Sequence, residues 1–459
     1  MMRTRKAAVQ GRVGSLSAAV KATARRRPGR ALEPGWGCGS AASQPSVALA
    51  CVRTERLPAA GNAFAAAAGF VALLCGRTKR PPARIAPHRG RGSGRGACVR
   101  LPALGAEGCS GYNDDRVAGR VLVVRAGALG DTLMVTPLIR RLRETAPHRE
   151  VDVLCSAGGA SLLRTNPHVS AIHVLRLRNM PYFCSLEKRR LVRTLRERGY
   201  EFAALLESAK RYRVLLEKAA IPDIRSFRET PFDPAQHSIV NNLRVAGFTD
   251  CEGSDLDMDL PVSDEALMWA AGTLAELPRP RIGLHAGYGP ARRKKGQADR
   301  LRGWHTGSCI EVAGELVRRG ASIVLTGSKG DLGVCNEIAR TLPRGRVIVC
   351  ASQTSVEQLG GVIKTLDLLV SVDSGPAHMA AAIGTPLVVL WGPGILAQTR
   401  PLSSATPIRI LRVDVPCAPC YGTPQMRRCI RNVCMERILP SAVVSAALET
   451  LDCAKEKFL

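Results

Sequence analysis

A carboxylate closes a glycine-containing turn where the chain begins to alternate between apolar and polar segments. The sequence Arg-Ala-Gly-Ala-Leu-Gly-Asp-Thr, residues 125–132, directly follows the apolar run Val121–Val124. Gly127 and Gly130 allow a tight backbone turn and leave room for a ligand. At this place Asp131 could act as a general base toward a hydroxyl group, or it could serve as a turn or helix-capping residue. The residues alone leave both interpretations open.

A second motif, suited to anion binding, lies about 240 residues further along the chain. Residues 371–378 read Ser-Val-Asp-Ser-Gly-Pro-Ala-His and join an apolar strand to a helix. Ser374 suits the helix cap and Pro376 suits the first turn. The backbone N–H groups of Ser374 and Gly375 would then form an anion site for a diphosphate. His378 is either a ligand contact or a packed residue of the first turn.

Glycines and cations follow another apolar strand in the second half of the chain. Residues 283–289 read Gly-Leu-His-Ala-Gly-Tyr-Gly, with Gly287 just beyond the strand. A glycine-rich strand end beside positive charge suits a ligand that carries phosphate. We expect most of the cations to be solvated and one or two to reach a diphosphate. The six cations that precede Trp304 are Arg292, Arg293, Lys294, Lys295, Arg300 and Arg302.

Four cysteines late in the chain have spacings that are compatible with a thiolate site. They are Cys417, Cys420, Cys429 and Cys434. Four thiolates could hold a structural Zn²⁺ ion, although the second pair does not have the usual zinc-knuckle spacing. Reduced thiols and a disulfide are the alternatives.

The segments that position these motifs alternate between strand and helix patterns. This alternation predicts an α/β fold with two doubly wound, Rossmann-like parallel sheets that face a central cleft. Pro278-Arg279-Pro280 separates the halves, which predicts one domain over residues 119–277 and a second over residues 278–459. The predicted strands are Val121–Val124, Val151–Cys155, Ala171–Leu175, Phe202–Leu206, Arg281–His285, Ser322–Thr326, Val347–Val349, Leu368–Val372, Leu387–Leu390 and Ile408–Leu411. The predicted helices are Leu138–Glu144, Lys188–Arg198, Ser238–Ala246, Asp264–Leu277, Cys309–Arg319, Asp331–Leu342, Ser355–Lys364, Pro376–Ile383 and Leu439–Leu451, and Ile221–Pro234 reads as a loose segment.

Residues 1–118 differ from the rest of the chain in composition and charge. The formal net charge of the protein is +28, and this stretch holds +15 of it in runs rich in Arg, Gly, Ala and Pro. It has no sustained helix or strand period, so we expect a disordered basic extension or a segment upstream of the true translation start. Its apolar patch, residues 63–75, is shorter than the about 20 residues that span a bilayer. The sequence predicts no transmembrane helix.

The overall composition excludes several classes of protein. Apolar residues make up 46% of the 459 residues, which argues against a disordered chain. Aromatic residues make up only 4%, which argues against a surface that stacks sugars or RNA bases. The positive charge suits phosphate, nucleotide-sugar or anionic-lipid partners, and it does not by itself imply nucleic acid.

The motifs carry a resemblance to a known family. R-x-G-A-L-G-D after the first strand, D-S-G-P-x-H-x-A-A-A-I-G-T-P late in the chain and L-W-G-P after the next strand resemble the ADP-heptose:lipopolysaccharide heptosyltransferases, glycosyltransferase family 9. The resemblance runs from about Arg120 to Leu451. It implies a GT-B fold, an inverting mechanism without a catalytic metal or other required cofactor, and an ADP-sugar donor.

The resemblance also implies roles for individual residues. Asp131 matches the catalytic base proposed for the family. Arg302 matches the cation that steadies the donor phosphates, and Lys295 is the reserve because residues 289–303 are longer than usual before Trp304. The donor-binding positions fall on Asp373, Ser374, Gly375, His378, Asp331 and Gly287, and the cleft loop on Gly127 and Gly130.

We therefore expect a cytoplasmic glycosyltransferase that moves heptose, or a similar sugar, onto a lipopolysaccharide-core or other lipid-linked saccharide. Peripheral contact with the anionic inner face of the inner membrane would use basic residues of one helix, or these residues form a solvated face. The basic residues are Arg189, Arg190, Arg193, Arg196 and Arg198. A nucleotide-sugar epimerase of similar fold is one alternative. A non-enzymatic nucleotide- or nucleic-acid-binding protein that uses the basic extension is another, although we expect no specific nucleic-acid partner.

Overall fold

The structure is a computed structural model that describes residues 49–51, 119–287 and 301–456. Within these ranges the chain forms two β-sheets with helices packed on them. The strands are β1 (Leu49–Cys51), β2 (Arg120–Arg125), β3 (Glu150–Cys155), β4 (Ala171–Val174), β5 (Phe202–Leu205), β6 (Asp223–Ser226), β7 (Arg281–His285), β8 (Ser322–Leu325), β9 (Val347–Val349), β10 (Leu368–Val372), β11 (Leu387–Leu390) and β12 (Ile408–Leu411). The helices are α1 (Leu129–Leu133), α2 (Thr136–Glu144), α3 (Ala157–Leu163), α4 (Leu186–Arg198), α5 (Lys210–Lys218), α6 (Ser238–Val245), α7 (Asp264–Thr273), α8 (Thr306–Arg318), α9 (Leu332–Arg340), α10 (Val356–Thr365), α11 (Gly375–Ile383), α12 (Leu396–Thr399), α13 (Pro424–Arg428), α14 (Val433–Glu436) and α15 (Pro440–Glu456).

The first sheet has five parallel strands in the order β4-β3-β2-β5-β6. Its central strand β2 is buried on both faces. Val121 and Val123 pack into one apolar cluster, and Leu122 and Val124 pack into another on the opposite face. This double burial explains why β2 is a continuous apolar run and not an alternating one.

The second sheet has the strand order β1-β12-β11-β10-β7-β8-β9. Its described strands run parallel except β1, which pairs antiparallel with β12 at the edge. The central strand β10 is fully buried and ends at Val372, next to the end of β7 at His285. Ligands of such sheets bind outside the carboxyl ends of the strands, so this edge is where the second motif should act.

The structure confirms the predicted α/β fold with two Rossmann-like sheets. Every predicted strand is present, with bounds that differ by no more than one residue at either end. The interpretation of residues 221–234 as a loose segment is wrong, because β6 lies there at the polar edge of the first sheet. The expectation that the extension lacks regular structure is wrong at β1, a three-residue edge strand too short to give a period. The rest of residues 1–118 lies outside the described residues.

The two halves of the chain contact each other closely. Helix α7, predicted as part of the first domain, packs against α10 of the second. A Cβ atom added at Gly361 of α10 would lie 2.2 Å from the carbonyl oxygen of Ala266 in α7. The imidazole Nε2 of His237 also lies 2.9 Å from the carbonyl oxygen of Arg400. Gly361 therefore permits the close contact between α7 and α10, which joins the two predicted domains.

We expect Gly361→Ala to lower the free energy of unfolding by about 1–3 kcal/mol, because the added methyl group meets a fixed backbone carbonyl. Gly314→Ala is the matched control inside α8, where an added Cβ meets no described heavy atom within 4 Å. The control should instead raise stability by about 0.5–1 kcal/mol. Urea unfolding monitored by circular dichroism measures both values. Equal stability of the two variants would contradict the close helix crossing.

Candidate active site

The Asp131 carboxylate is fixed at the carboxyl edge of the first sheet. Its Oδ1 accepts a hydrogen bond of 2.8 Å from Arg125 Nη2, and its Oδ2 accepts one of 3.0 Å from the backbone N–H of Ala128. A Cβ atom at Gly127 would lie 2.6 Å from Oδ2. The carboxylate side chain is 35% exposed. Arg125 and Gly127 thus orient an accessible carboxylate, which combines the two interpretations of Asp131: it stabilises the turn and remains reachable.

The two glycine-containing motifs meet where α1 contacts α11. A Cβ atom at Gly130 would lie 2.8 Å from Cδ2 of His378. A Cβ atom at Gly375 would lie 3.1 Å from Cβ of Leu129. The structure therefore brings the Asp131 turn of the first sheet against the first turn of the helix that follows β10. Only glycine at positions 130 and 375 allows this approach without displacing a neighbour.

The His378 imidazole is buried at this contact, with 4% of its surface exposed. Burial lowers its pKa to about 4, the Asp131 carboxylate opposes that shift, and the Arg302 guanidinium adds to it. His378 is consequently neutral at physiological pH. Among the described residues, its Nδ1 atom has no hydrogen-bond partner. A buried ring nitrogen without a hydrogen-bond partner among the described residues suits a ligand contact. The ring itself is held in place by its packing against Gly130.

Arg302 and Asp373 form an ion pair next to His378. The Nε atom of Arg302 lies 3.6 Å from Oδ2 of Asp373, and the guanidinium carbon lies 4.4 Å from the centre of the Tyr421 ring. Asp373 is almost fully buried, which raises the pKa of its carboxyl, while Arg302 opposes the rise. The ion pair with the buried Asp373 keeps the Arg302 side chain near the start of α11.

Helix α11 begins at Gly375, with Pro376 next and Ser374 as the N-cap residue. The Ser374 hydroxyl lies 3.1 Å from the hydroxyl of Ser371 and makes no side-chain cap bond to the helix. The N-terminal N–H groups and the helix dipole are oriented toward the junction between the motifs. The diphosphate contact at Ser374 and Gly375 stays a prediction.

Gly287 lies two residues after the end of β7, next to Gly303. Its φ angle is +92°, and a Cβ atom there would lie 2.7 Å from Cγ2 of Val372 and 3.3 Å from Cα of Gly303. The backbone N–H of Trp304 also donates to the carbonyl oxygen of Ala286 at 3.4 Å. Gly287 thus allows the segment around Arg302 to lie against the end of β10.

Asp331 closes the turn that follows β8. Its Oδ2 accepts hydrogen bonds from the N–H of Ser328 at 2.7 Å and from the Ser328 hydroxyl at 2.6 Å. Burial lowers the pKa of His285 on β7, and the Asp331 carboxylate opposes that shift. Asp331 therefore stabilises a turn at the same sheet edge as Gly287, and its contact with a nucleoside stays a prediction.

The four predicted metal ligands lie near one another. Burial raises the pKa of the Cys434 thiol to about 11, and Cys420, Cys417 and Cys429 raise it further. Among residues 119–287 and 301–456, no group of three or more His, Cys, Asp or Glu side chains is arranged to hold a metal ion. The geometry adds no support for zinc, which stays a prediction.

One group of predicted residues, Lys295 and the other cations between positions 292 and 300, lies outside the described residues. A cavity of about 340 Å³ lies away from Asp131 and is lined by Pro261, Val262, Lys364 and Ile383 among others. Its one lining carboxylate, Asp259, is bound to Arg140 at 2.5 Å, so the cavity lacks convergent polar groups for chemistry.

Sequence reasoning assigned no role to two residues that orient the site. Arg125 positions Asp131, and Tyr421 lies against Arg302. A signal existed for Arg125, since it stands six residues before Asp131 within the same motif. None existed for Tyr421, which approaches Arg302 from a loop 119 residues further along the chain.

Known proteins resemble this chain in sequence and in fold. Residues 301–430 match the family described as glycosyltransferase family 9 (heptosyltransferase). Lipopolysaccharide heptosyltransferase 2 of Salmonella typhimurium is 28% identical over 326 residues, which cover 64% of this chain and 88% of that protein. None of the described helices combines the length and apolar character needed to cross a membrane.

Two solved structures share the fold. The family 9 glycosyl transferase of Veillonella parvula has a TM-score of 0.62 at 20% identity, covering 73% of this chain and 97% of that chain. ADP-heptose lps heptosyltransferase II of Escherichia coli has a TM-score of 0.60 at 23% identity, covering 73% and 99%. These likenesses confirm the GT-B fold. The family match over residues 301–430, the sequence relative and the shared fold show that the chain is similar to glycosyltransferase family 9, and they support its activity as a glycosyltransferase.

Proposed function

We propose that this enzyme transfers heptose, or a similar sugar, from an ADP-sugar to a lipopolysaccharide-core or other lipid-linked saccharide, with inversion at the anomeric carbon. The observation that carries the proposal is the contact between α1 and α11. It brings a carboxylate of one sheet close to the cationic helix start of the other. The names of the Salmonella and E. coli proteins, a lipopolysaccharide heptosyltransferase and an ADP-heptose enzyme, support the choice of sugar, nucleotide and acceptor.

In the proposed reaction, Asp131 accepts the proton of an acceptor hydroxyl as that oxygen forms a bond to the anomeric carbon. The bond between this carbon and the donor phosphate oxygen breaks on the opposite face, and its electron pair leaves with ADP. The N–H groups at Ser374 and Gly375 and the Arg302 guanidinium stabilise the negative charge that grows on the diphosphate. Because cations and N–H groups perform this task, the proposed mechanism requires no metal ion.

A donor screen on the full chain tests this function. We expect ADP release from ADP-heptose in the presence of a deacylated core-saccharide acceptor, and NMR of the product should report an anomeric configuration opposite to that of the donor. UDP- and GDP-sugars should react at least about tenfold more slowly. Preference for another nucleotide would overturn the ADP assignment, and retained configuration would overturn the inverting mechanism. Conversion of the donor to an epimeric nucleotide-sugar without transfer would favour the epimerase alternative.

We further propose that a lipid surface lies beside the Asp131 turn. The apolar loop, residues 177–186, connects β4 to α4 and presents four exposed apolar side chains, and Phe183 is 76% exposed. These side chains are Leu177, Met180, Phe183 and Leu186. Exposed arginines flank the loop at Arg176, Arg189, Arg190 and Arg193. Exposed apolar side chains with cations on both sides in the sequence suit an anionic membrane surface, which would present a lipid-linked acceptor at the inner face of the inner membrane.

Polar contacts hold the apolar loop in its outward conformation. The buried Lys188 ammonium donates to the carbonyl oxygens of Arg178 and Met180. The Arg178 guanidinium in turn donates to the carbonyl oxygen of Ala126, next to the Asp131 turn. Arg198 does not belong to the lipid-facing set that the sequence predicted, since it forms an ion pair of 2.5 Å with the buried Asp152.

We expect Phe183→Ser to weaken binding to vesicles of phosphatidylcholine with phosphatidylglycerol by about tenfold, because one large apolar side chain no longer leaves water. Met268→Ser is the matched control, since Met268 is 70% exposed on α7, away from the loop. Vesicle cosedimentation measures both. A loss of equal size in the two variants, or no binding by the unaltered protein, would contradict the lipid surface.

A further inference from the structure

Arg302 lies in a short loop whose backbone is hydrogen-bonded to Asn432, late in the chain. The arginine loop, residues 301–304, is bordered by the cysteine segment, residues 415–436. The side-chain amide of Asn432 donates to the carbonyl oxygen of Gly303 at 2.8 Å and to that of Leu301 at 3.3 Å. These two carbonyl groups stand on either side of Arg302. One amide group therefore fixes the backbone that carries the guanidinium.

The cysteine segment also contacts the Arg302 side chain. The Tyr421 ring lies 4.4 Å from the guanidinium carbon, on a backbone whose N–H donates to the carbonyl oxygen of Pro393 at 2.9 Å. Asp373 approaches Nε of Arg302 to 3.6 Å. The ring and the carboxylate restrict the rotamers of a side chain that would otherwise have many.

Apolar packing makes the cysteine segment a rigid support. Leu301 packs in a small cluster with Cys420, Met426 and Cys429. Cys434 and Met435, just after Asn432, belong to the apolar core of the second domain. The arginine loop thus rests on a segment that is anchored in the core beside it.

We propose that Asn432 and Tyr421 are positioning residues, which hold the Arg302 guanidinium in the orientation that the donor diphosphate requires. This inference rests on the proposed role of Arg302. Neither residue needs to touch the donor, because each acts through Arg302. A preorganised cation stabilises the developing charge without reorientation during the reaction, whereas a mobile one must first be ordered.

A double-mutant cycle tests the inference on the full chain. We expect Asn432→Ala to lower kcat by about tenfold and to weaken ADP binding in calorimetry by a smaller factor. Tyr421→Leu should act in the same direction, and Tyr421→Phe should recover most of the loss because it keeps the ring. In an Arg302→Ala background, Asn432→Ala should add less than about twofold, since the group it positions is gone. Ile430→Ala is the control, because Ile430 is 96% exposed in the same segment.

The outcomes separate this inference from the proposed function. If Arg302→Ala reduces ADP binding and kcat but Asn432→Ala has no effect, the inference is overturned and the function stands. If Asn432→Ala acts equally in both backgrounds, Asn432 supports the fold and does not position Arg302. If Arg302→Ala itself changes neither quantity, the proposed role of Arg302 fails, and the inference fails with it. Denaturant unfolding of each variant verifies that the protein is folded.

Discussion

Replacing Asp131 with Asn is expected to reduce kcat for sugar transfer by about 10²–10⁴-fold, the usual contribution of a positioned general base. The substituted amide keeps an oxygen that can accept from the Ala128 N–H, as the carboxylate does at 3.0 Å, so the turn should persist. The substitution removes the capacity to take a proton and also the ion pair with Arg125. Because Asp131 belongs to the first sheet and the proposed ADP site to the second, ADP affinity should change by less than about twofold. Single-turnover kinetics with ADP-heptose, together with calorimetry of ADP, measure both quantities.

Glu207 provides the matched control for this substitution. Its Oε1 accepts from the N–H of Ala126 at 2.8 Å, so it is a second carboxylate that contacts the same turn. Glu207→Gln removes one negative charge and should keep kcat within about threefold. If Glu207→Gln abolished transfer while Asp131→Asn did not, the base would be Glu207. If ADP affinity fell with kcat in Asp131→Asn, the loss would reflect a disturbed contact between α1 and α11.

The central strands were predictable because burial on both faces of a parallel sheet requires a continuous run of apolar residues, and such a run is visible in the sequence. The runs Val121–Val124 and Leu368–Val372 are apolar since each face packs on a separate group of side chains. Edge strands lack this requirement. The sequence of β6 is Asp-Ile-Arg-Ser, which gives no apolar run, and β1 has three residues.

Helices α3 and α5 of the first domain were missed for different reasons. Helix α3 contains Gly158 and Gly159, which lower helix propensity. Gly159 is needed because a Cβ atom there would lie 3.0 Å from the Thr132 hydroxyl oxygen. Helix α5 did carry a signal, since its buried residues Tyr212, Leu215 and Leu216 have helical spacing.

The motifs predicted which residues are near a strand end, but not which of them meet across the two sheets. Asp131 and His378 are 247 positions apart, and their proximity depends on glycines at the crossing of α1 and α11. The contact of Asn432 with the arginine loop joins two irregular segments, and irregular segments have no period that fixes their partners. Sequence patterns therefore identify the residue types of the site, whereas contacts between irregular loops determine how their side chains are oriented.

Replacing Arg302 with Ala is expected to reduce kcat by about 10²–10³-fold, the usual cost of removing one preorganised group that stabilises charge in a transition state. The KM for the donor should rise much less. The ground-state diphosphate already carries charge that the helix start and other cations share, whereas the charge that develops on the leaving oxygen needs the positioned guanidinium. Steady-state kinetics with ADP-heptose separate the two constants. Arg340→Ala, at the exposed end of α9, should change neither.

The same substitution leaves Asp373 buried without this cation, which by itself is destabilising. Its pKa, already raised by burial, should rise further once Arg302 is removed. Adding Asp373→Asn to Arg302→Ala removes the buried charge and should recover the free energy of unfolding. It should leave kcat low, because a neutral amide does not replace the positive charge of the Arg302 guanidinium. Recovery of kcat along with stability would show that Arg302 serves the fold alone, and the cationic half of the mechanism would then have to come from other residues.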